Sequence, residues 1–344
     1  MPTQSEYALE EALIAQLKGM EYTPVRIENE AEMLVNFKRQ LEIHNQNITL
    51  TPTEFERILN HLNTGSIFER AKILRDRFVL KRDNEEKLWL TFLNCTDWCM
   101  NEFQVTHQMT MEGKRKNRYD VTLLINGLPL VQIELKRRGA ELKVAFNQIN
   151  RYQHNSYDAG AGLFQYVQLF IISNGVDTKY FSNNLKQSYK QTFFWTDKLN
   201  HRLSDLHEFS AEFLKPCHIA KMITHYTVLN ETSQCLMILR PYQFYATEAL
   251  VDKVKNNRLL AKINTRPFTV DNQTILSRGI NIESKESNHK NPSRLVNASA
   301  TVANRINRSR VKLSILACIN KGDPLSAFPK NSLLIVIACS PPQA

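Results

Sequence analysis

The chain contains no apolar run long enough to cross a bilayer. Its longest, near Leu163 to Ser173, is too short and too polar. The N-terminus is acidic and amphipathic rather than basic, so no secretory leader is expected. Cysteine is sparse, with six in 344 residues, which argues against a disulfide scaffold. Cys95 and Cys99 stand in C-x3-C spacing, with Cys217 and Cys235 far downstream, a pattern that fits no iron–sulfur site. Cys217-His218 lacks the second pair that zinc would need. Free, buried thiols are expected. No Ser/His/Asp arrangement stands out and no internal repeat occurs. G-x-x-x-x-G-K-[ST], the backbone cradle for nucleotide phosphates, is absent throughout. What is left is an ordinary globular composition, 42% hydrophobic and 23% charged, for which the cytoplasm is the expected compartment.

The net charge of +10 suggests nucleic acid, but its distribution matters. Residues 258–344 hold 13 Lys/Arg against 4 Asp/Glu, while the first 257 residues hold 31 against 30. The body therefore needs local clusters to meet phosphate. Two are present: Lys114, Arg115, Lys116 and Arg118, then Lys136, Arg137, Arg138 and Lys143. A charged loop is usually just solvated. Two such loops bracketing one acidic stretch favour phosphate contact.

That stretch is "RYDVTLLINGLPLVQIELKRRG", Arg118 to Gly139. Two alternating apolar runs flank Asn126-Gly127, a strong hairpin signal. Val121, Leu123 and Ile125 share one face of the first run. Val131, Ile133 and Leu135 share one face of the second, opposite Gln132, Glu134 and Lys136. A loop of Asn126-Gly127-Leu128 sets Ile125 against Pro129 and brings both apolar sets to one side. A two-residue loop would slip the pairing by one and set apolar against polar. The longer loop is therefore expected, with Asp120 facing Glu134 and their Cβ atoms roughly 5 Å apart. Like charges so placed do nothing for the fold. Together they suit Mg²⁺, which takes hard oxygen ligands and often one or two carboxylates. Asp120 and Glu134 would hold the metal, with the Leu135 carbonyl completing the set. Lys136, on the same face, would orient water or stabilise charge on phosphate.

Ser5 to Leu17 reads as a capped amphipathic helix ending near Gly19, with Glu10 and Glu11 toward its polar side. Residues 30–92 read as mostly helical, with Leu88 to Asn94 and Phe103 to Met109 as strands. After the hairpin, Ala140 to Tyr152 reads as a helix, on which Gln148 and Tyr152 share a face. Tyr166 to Ser173 suits a buried strand, and Lys179 to Ser182 a short neighbour. Ala211 to Leu229 reads as a helix broken at Pro216. Strands interleaved with helices predict an α/β fold, a mixed sheet flanked by helices. The divisions are residues 1–230 as the main domain, 231–257 as a linker and helix, and 258–344 as a basic tail of fading periodicity. No strand pattern is evident directly after the helix of "YQFYATEALVDKVK", and loose packing is expected of the tail.

Asp120 with Glu134-Leu135-Lys136 fits the PD-(D/E)xK nuclease pattern, with Tyr119 where a proline often precedes the aspartate. The chain resembles the N-terminal part of HsdR, the restriction and motor subunit of type I restriction-modification enzymes. The resemblance runs from about Glu6 to Lys255. It is densest in "NRYDVTLLINGLPLVQIELKRRG", "AFNQINRY", "LFQYVQLFIISNGVDTKYF" and "LRPYQFYATEAL". It implies an Mg²⁺-dependent DNA endonuclease with Asp120, Glu134 and Lys136 catalytic. Gln148 and Tyr152 would support cleavage, and a glutamate of the first helix, Glu10 before Glu11, would join the site. It also implies DNA as substrate, and the methylation (HsdM) and specificity (HsdS) subunits as partners. "LRPYQFYATEAL" resembles the approach to the family's ATP-driven motor, and Gln243 stands where such motors read adenine. With no phosphate loop, ATP is expected for full-length members and not for this chain. The expected product is a nuclease module without its motor, as a truncated or frameshifted gene would encode. Two alternatives stay open: a non-cutting remnant that binds DNA or the methylation–specificity core, and a RecB-like repair nuclease. The motor-like segment argues against the second.

Overall fold

Ser5 opens the first helix as its sequence predicts. Its hydroxyl accepts the Ala8 N–H at 3.2 Å, satisfying one of the donors a helix start leaves unpaired. The computed structural model describes residues 5–111, 117–152, 162–255, 263–270 and 273–280. Helix α1 (Glu6–Gly19) runs to a short strand, β1 (Thr23–Pro24). Three helices follow, α2 (Glu30–His44), α3 (Pro52–Leu62) and α4 (Ile67–Ile73). The region 30–92 is less helical than expected. β2 (Arg77–Lys81) and β3 (Lys87–Thr91) pair antiparallel over five residues each. β3 overlaps the strand expected from Leu88, whereas charged residues at both ends of β2, Arg77 and Lys81, hide its alternation.

Three long strands come next, β4 (Phe103–Met111), β5 (Asn117–Ile125) and β6 (Leu128–Leu135). α5 (Leu142–Tyr152) then crosses to β7 (Leu169–Ser173) and β8 (Thr178–Ser182). The six-stranded sheet has the order β1-β4-β5-β6-β7-β8. β1 with β4 and β6 with β7 are parallel, and the other neighbours are antiparallel. Every residue of β6 and β7 is buried, so their runs read as continuous rather than alternating. α1 lays Leu9, Leu13, Ile14 and Leu17 into the core. Each such side chain contributes about 1.5–3 kcal/mol when fully buried.

The β5–β6 turn differs from expectation in an informative way. The loop has two residues, with Ile125 opposite Leu128 rather than Pro129. Asn126 (φ 51°) and Gly127 (φ 79°) both adopt the left-handed conformation that a tight hairpin turn demands. The register nevertheless recovers. Leu124 pairs with Pro129 and Leu123 with Val131, so Leu130 is an extra residue, a β-bulge. Pro129, with no N–H to give the ladder, sits beside it. Two-residue turn and bulge together produce the pairing that a three-residue loop was expected to produce. Asn126 is buried and fully used: Oδ1 accepts the Glu102 N–H at 2.8 Å, and Nδ2 donates to the Phe92 carbonyl and Asn101 Oδ1.

Beyond β8 come β9 (Trp195–Thr196), β10 (Arg202–Leu203), α6 (Leu206–Phe213) and α7 (Pro216–Thr224). Pro216 starts a helix, as its missing N–H permits, and Asp205 caps the one before it. Chain Thr227–Asn230 is then strand β11, paired with β12 (Cys235–Ile238), where helix was expected to continue. Tyr180, Trp195 and Phe213 stack edge-on and tilted, with centroids 4.8–5.7 Å apart. Cys99 and Cys217, expected as free thiols, are joined in a disulfide across 118 residues. Helix α7 packs on the turn at Trp98–Met100, and the two Cα atoms lie 4.6 Å apart, within disulfide reach. Cys95 and Cys235 are free. Helix α8 (Pro241–Lys255) follows. Among the described residues, no helix is long and apolar enough to cross a membrane.

The chain divides into two units, Met1–Phe244 and Tyr245–Ala344. The second contains a hairpin that the fading periodicity concealed. β13 (Ile263–Val270) pairs antiparallel with β14 (Gln273–Ile280). Most of the basic tail lies outside the described residues.

Candidate active site

The β5–β6 register delivers the two carboxylates. Val121 pairs with Ile133, and one pair further along stand Asp120 and Glu134. Asp120 accepts the Leu135 N–H at 2.8 Å. Lys136 Nζ donates to Glu134 Oε1 at 2.9 Å and to the Leu135 carbonyl at 2.7 Å. The Lys136 N–H donates to the Ser173 carbonyl at 2.8 Å, tying the end of β6 to β7. The three side chains named from the sequence therefore converge.

Their electrostatics are unfavourable to the fold. Glu134 is fully buried, and its Oε2 has no hydrogen-bond partner. Burial, and then the charge of Asp120, push its carboxyl well above the usual range, which Lys136 opposes only in part. Burial also raises Asp120, against the Leu135 N–H and Lys136. Glu10 and Glu6 push it further in the same direction. A cation would relieve both. Lys136 Nζ already bridges two of the oxygens, Glu134 Oε1 and Leu135 O, that such a cation would take. Among the described residues, no group of three or more His, Cys, Asp and Glu side chains is placed to hold a metal alone. Mg²⁺ asks for less, keeping several waters and taking one or two carboxylates. Two carboxylates, an unpaired buried oxygen and a strand-end carbonyl fit it.

Helix α1 brings further acids. Glu10 is buried, its Oε1 lies 2.8 Å from His107 Nδ1, and its Oε2 accepts the Gln108 amide. One turn earlier, Glu6 accepts the Arg137 N–H at 3.4 Å and lies 3.9 Å from Lys136 Nζ. Glu11 is exposed. Glu10, named from the sequence, acts on Asp120, and Glu6 acts on both Asp120 and Glu134; Glu6, His107 and Gln108 escaped sequence reasoning. The i, i+4 spacing of Glu6 and Glu10 was a usable signal. For His107 and Gln108 there was none. Gln108 is left-handed (φ 56°), and the β4–β5 register places it opposite Asp120, between the pairs His107–Val121 and Met109–Tyr119.

The remaining expected residues divide. Gln148 is half-buried on α5, which packs on β6 and β7 through a face that includes Ala145 and Ile149. The side chain of Tyr152 lies outside the described residues, as do Lys114, Arg115 and Lys116. Arg118, Arg137, Arg138 and Lys143 are exposed at the ends of β5 and β6 and at the start of α5. Gln243 does not stand open for a base. It is buried, and its side-chain carbonyl accepts the Arg240 N–H at 2.8 Å, capping α8.

The family described as type I restriction enzyme R protein N terminus matches residues 3–189. The SsaAORF53P type I restriction enzyme endonuclease subunit of Staphylococcus saprophyticus is 52% identical over 256 residues, 73% of this chain and 27% of that protein. The SauCOLORF180P endonuclease subunit of Staphylococcus aureus is 49% identical over 258 residues, 74% of this chain and 27% of the relative. The EcoprrI endonuclease subunit of Escherichia coli is 38% identical over 266 residues, covering 74% of this chain and 83% of that protein. The chain thus spans about a quarter of the staphylococcal relatives it matches. It belongs to the type I restriction enzyme R proteins and corresponds to their N-terminal part.

Proposed function

We propose that this chain is a metal-dependent DNA endonuclease module of a type I restriction enzyme, hydrolysing phosphodiester bonds on a PD-(D/E)xK-like sheet. One observation carries the reading: Glu134 is buried with an unpaired oxygen, next to a second carboxylate and a lysine. A fold gains nothing from that arrangement, and perturbed carboxylates of this kind mark functional sites. The relatives' names, as endonuclease subunits, point the same way. Asp120, Glu134 and the Leu135 carbonyl would hold Mg²⁺. Bound there, the metal would polarise the scissile phosphate and lower the pKa of its water. Lys136 orients the attacking water or meets charge developing on phosphate. The Leu135 N–H fixes the Asp120 carboxylate. Gln148, Tyr152 and Glu10 support this set. Lys114, Arg115, Lys116, Arg118, Arg137, Arg138 and Lys143 contact the DNA backbone. Sequence choice falls to the specificity subunit, and the assembled enzyme includes the methylation subunit.

The test is nicking of supercoiled plasmid with Mg²⁺ by the full chain and by Glu134→Ala. Cleavage by the first and not the second supports the reading. DNA binding without cleavage, in Mg²⁺ or Mn²⁺, overturns it in favour of a non-cutting module.

A further inference from the structure

Behind Glu10 the protein surface opens into a groove of about 770 Å³ between the end of α1, the chain around β1, and β4. Its inner wall includes His107 and Gln108, the two residues that hold the Glu10 carboxylate. The groove and the carboxylate cluster thus share a wall. Gln108 contributes to both, since it stands opposite Asp120 in the β4–β5 register. The floor is apolar, with Ile14, Pro24, Val25 and Val105. The charged side chains at the groove are Lys18, Arg26 and Glu28. Arg26 pairs with Glu28, and both are well exposed, at 88% and 57%. An ion pair this exposed contributes little and exchanges readily for another anion. The groove's size falls in the range of sites for small organic ligands.

We propose that this groove takes a nucleotide of the cut strand adjoining the scissile phosphate. Its phosphate meets Lys18 and Arg26, and its sugar and base lie over the apolar floor. This rests on the nuclease reading and gives the strand a second path from the carboxylates. The basic residues after β6 serve one side, and the groove serves the side of α1 and β4. A positively charged groove that tracks the backbone holds a nucleic-acid strand without sequence preference, and here aliphatic side chains take the place beside the base. Such contacts carry no base information, so their effect is on affinity and on its salt dependence.

The test measures binding of a short fluorescein-labelled duplex to the full chain by anisotropy across a salt series. Ca²⁺ replaces Mg²⁺ so that binding is read without cleavage. Each phosphate contact contributes about 0.9 to the slope of log K against log salt. With one phosphate at stake, the double variant Lys18→Gln/Arg26→Gln is expected to lower the slope by about 0.9 and to bind several-fold more weakly. Val25→Trp, which fills the groove without altering charge, should weaken binding as well. Arg39→Gln, an exposed basic residue on α2 that does not line the groove, should leave the slope nearly unchanged. Plasmid nicking in Mg²⁺ by the wild type is scored separately from the Ca²⁺ slope, which separates this proposal from the nuclease reading. A wild-type slope in the double variant, or an equal loss in Arg39→Gln, overturns the groove assignment.

Discussion

Two of the buried glutamates, Glu54 and Glu134, are opposites. Glu54, 1% exposed, starts α3 as the acidic half of a capping box. Its oxygens accept Arg82 Nε at 3.0 Å and the N–H groups of Thr51 and Asp83 at 3.0 and 3.2 Å. The hydrogen bond from Arg82, ahead of the backbone donors, pulls its carboxyl down to about 2. Glu134 is as deeply buried, yet one oxygen accepts only Lys136 and the other accepts nothing. Its carboxyl is pushed up instead. Burial alone therefore does not identify a structural acid. The count of donors does: Glu54 is satisfied by the fold, and Glu134 is left for something the fold does not supply.

The largest expected effect sharpens the functional half of that contrast. Asp120→Ala should lower the plasmid-nicking rate about 10³-fold or more, equivalent to ~4 kcal/mol of barrier. The fold should be little affected, because the change relieves like-charge repulsion. Unfolding of the variant, seen by circular dichroism, would show that the pair is structural.

Glu54→Ala should do the reverse. Removing one partner leaves Arg82 and two backbone N–H groups uncompensated, at a cost of about 2–3 kcal/mol in urea denaturation. Activity per folded molecule should not change. Gly127→Ala probes the hairpin that aligns the pair. An added Cβ would lie 2.8 Å from the Phe37 backbone, at a φ of 79° that alanine resists. A loss of about 1–3 kcal/mol is expected, with activity per folded molecule falling if the register at Asp120 shifts.

The smallest effect is the most diagnostic, because it changes sign. Glu54 stabilises the fold above the unfolded carboxyl pKa, and that contribution fades as pH falls toward about 2. Glu134, with a raised folded pKa, is neutral to stability in acid and a growing burden as pH rises past the unfolded value. Glu134→Gln should therefore stabilise the metal-free protein at neutral pH, with the gain disappearing as the pH falls below the unfolded carboxyl value. Glu54→Gln should destabilise at neutral pH, with the deficit shrinking in acid. Melting temperatures across a pH series would read both, and parallel trends would break the contrast.

Much of the site was legible in sequence because it is local. Asp120, Glu134 and Lys136 lie on adjacent strands joined by a tight turn, so period-two alternation was enough to bring them together. The turn itself was misjudged by one residue. Side-chain pattern reports the final register, and it cannot tell a longer loop from a two-residue turn plus a bulge at Leu130. Long-range contacts were beyond reach. His107 and Gln108 meet Glu10 across 97 and 98 residues, and Cys99 meets Cys217 across 118, with no periodicity to announce either. Gln243, at the position where the family's motors read adenine, accepts the Arg240 N–H and caps its own helix, a contact that no sequence pattern announced.

Under the proposed function, Glu134 binds a divalent cation. Isothermal titration of the metal-free full chain with Mg²⁺ at neutral pH, in two buffers of different ionisation enthalpy, tests it most directly. The expected result is saturable binding with proton release by the wild type, because a raised carboxyl must give up its proton to bind metal, and neither signal in Glu134→Gln. Equal Mg²⁺ binding by the variant, or none by the wild type, would contradict it.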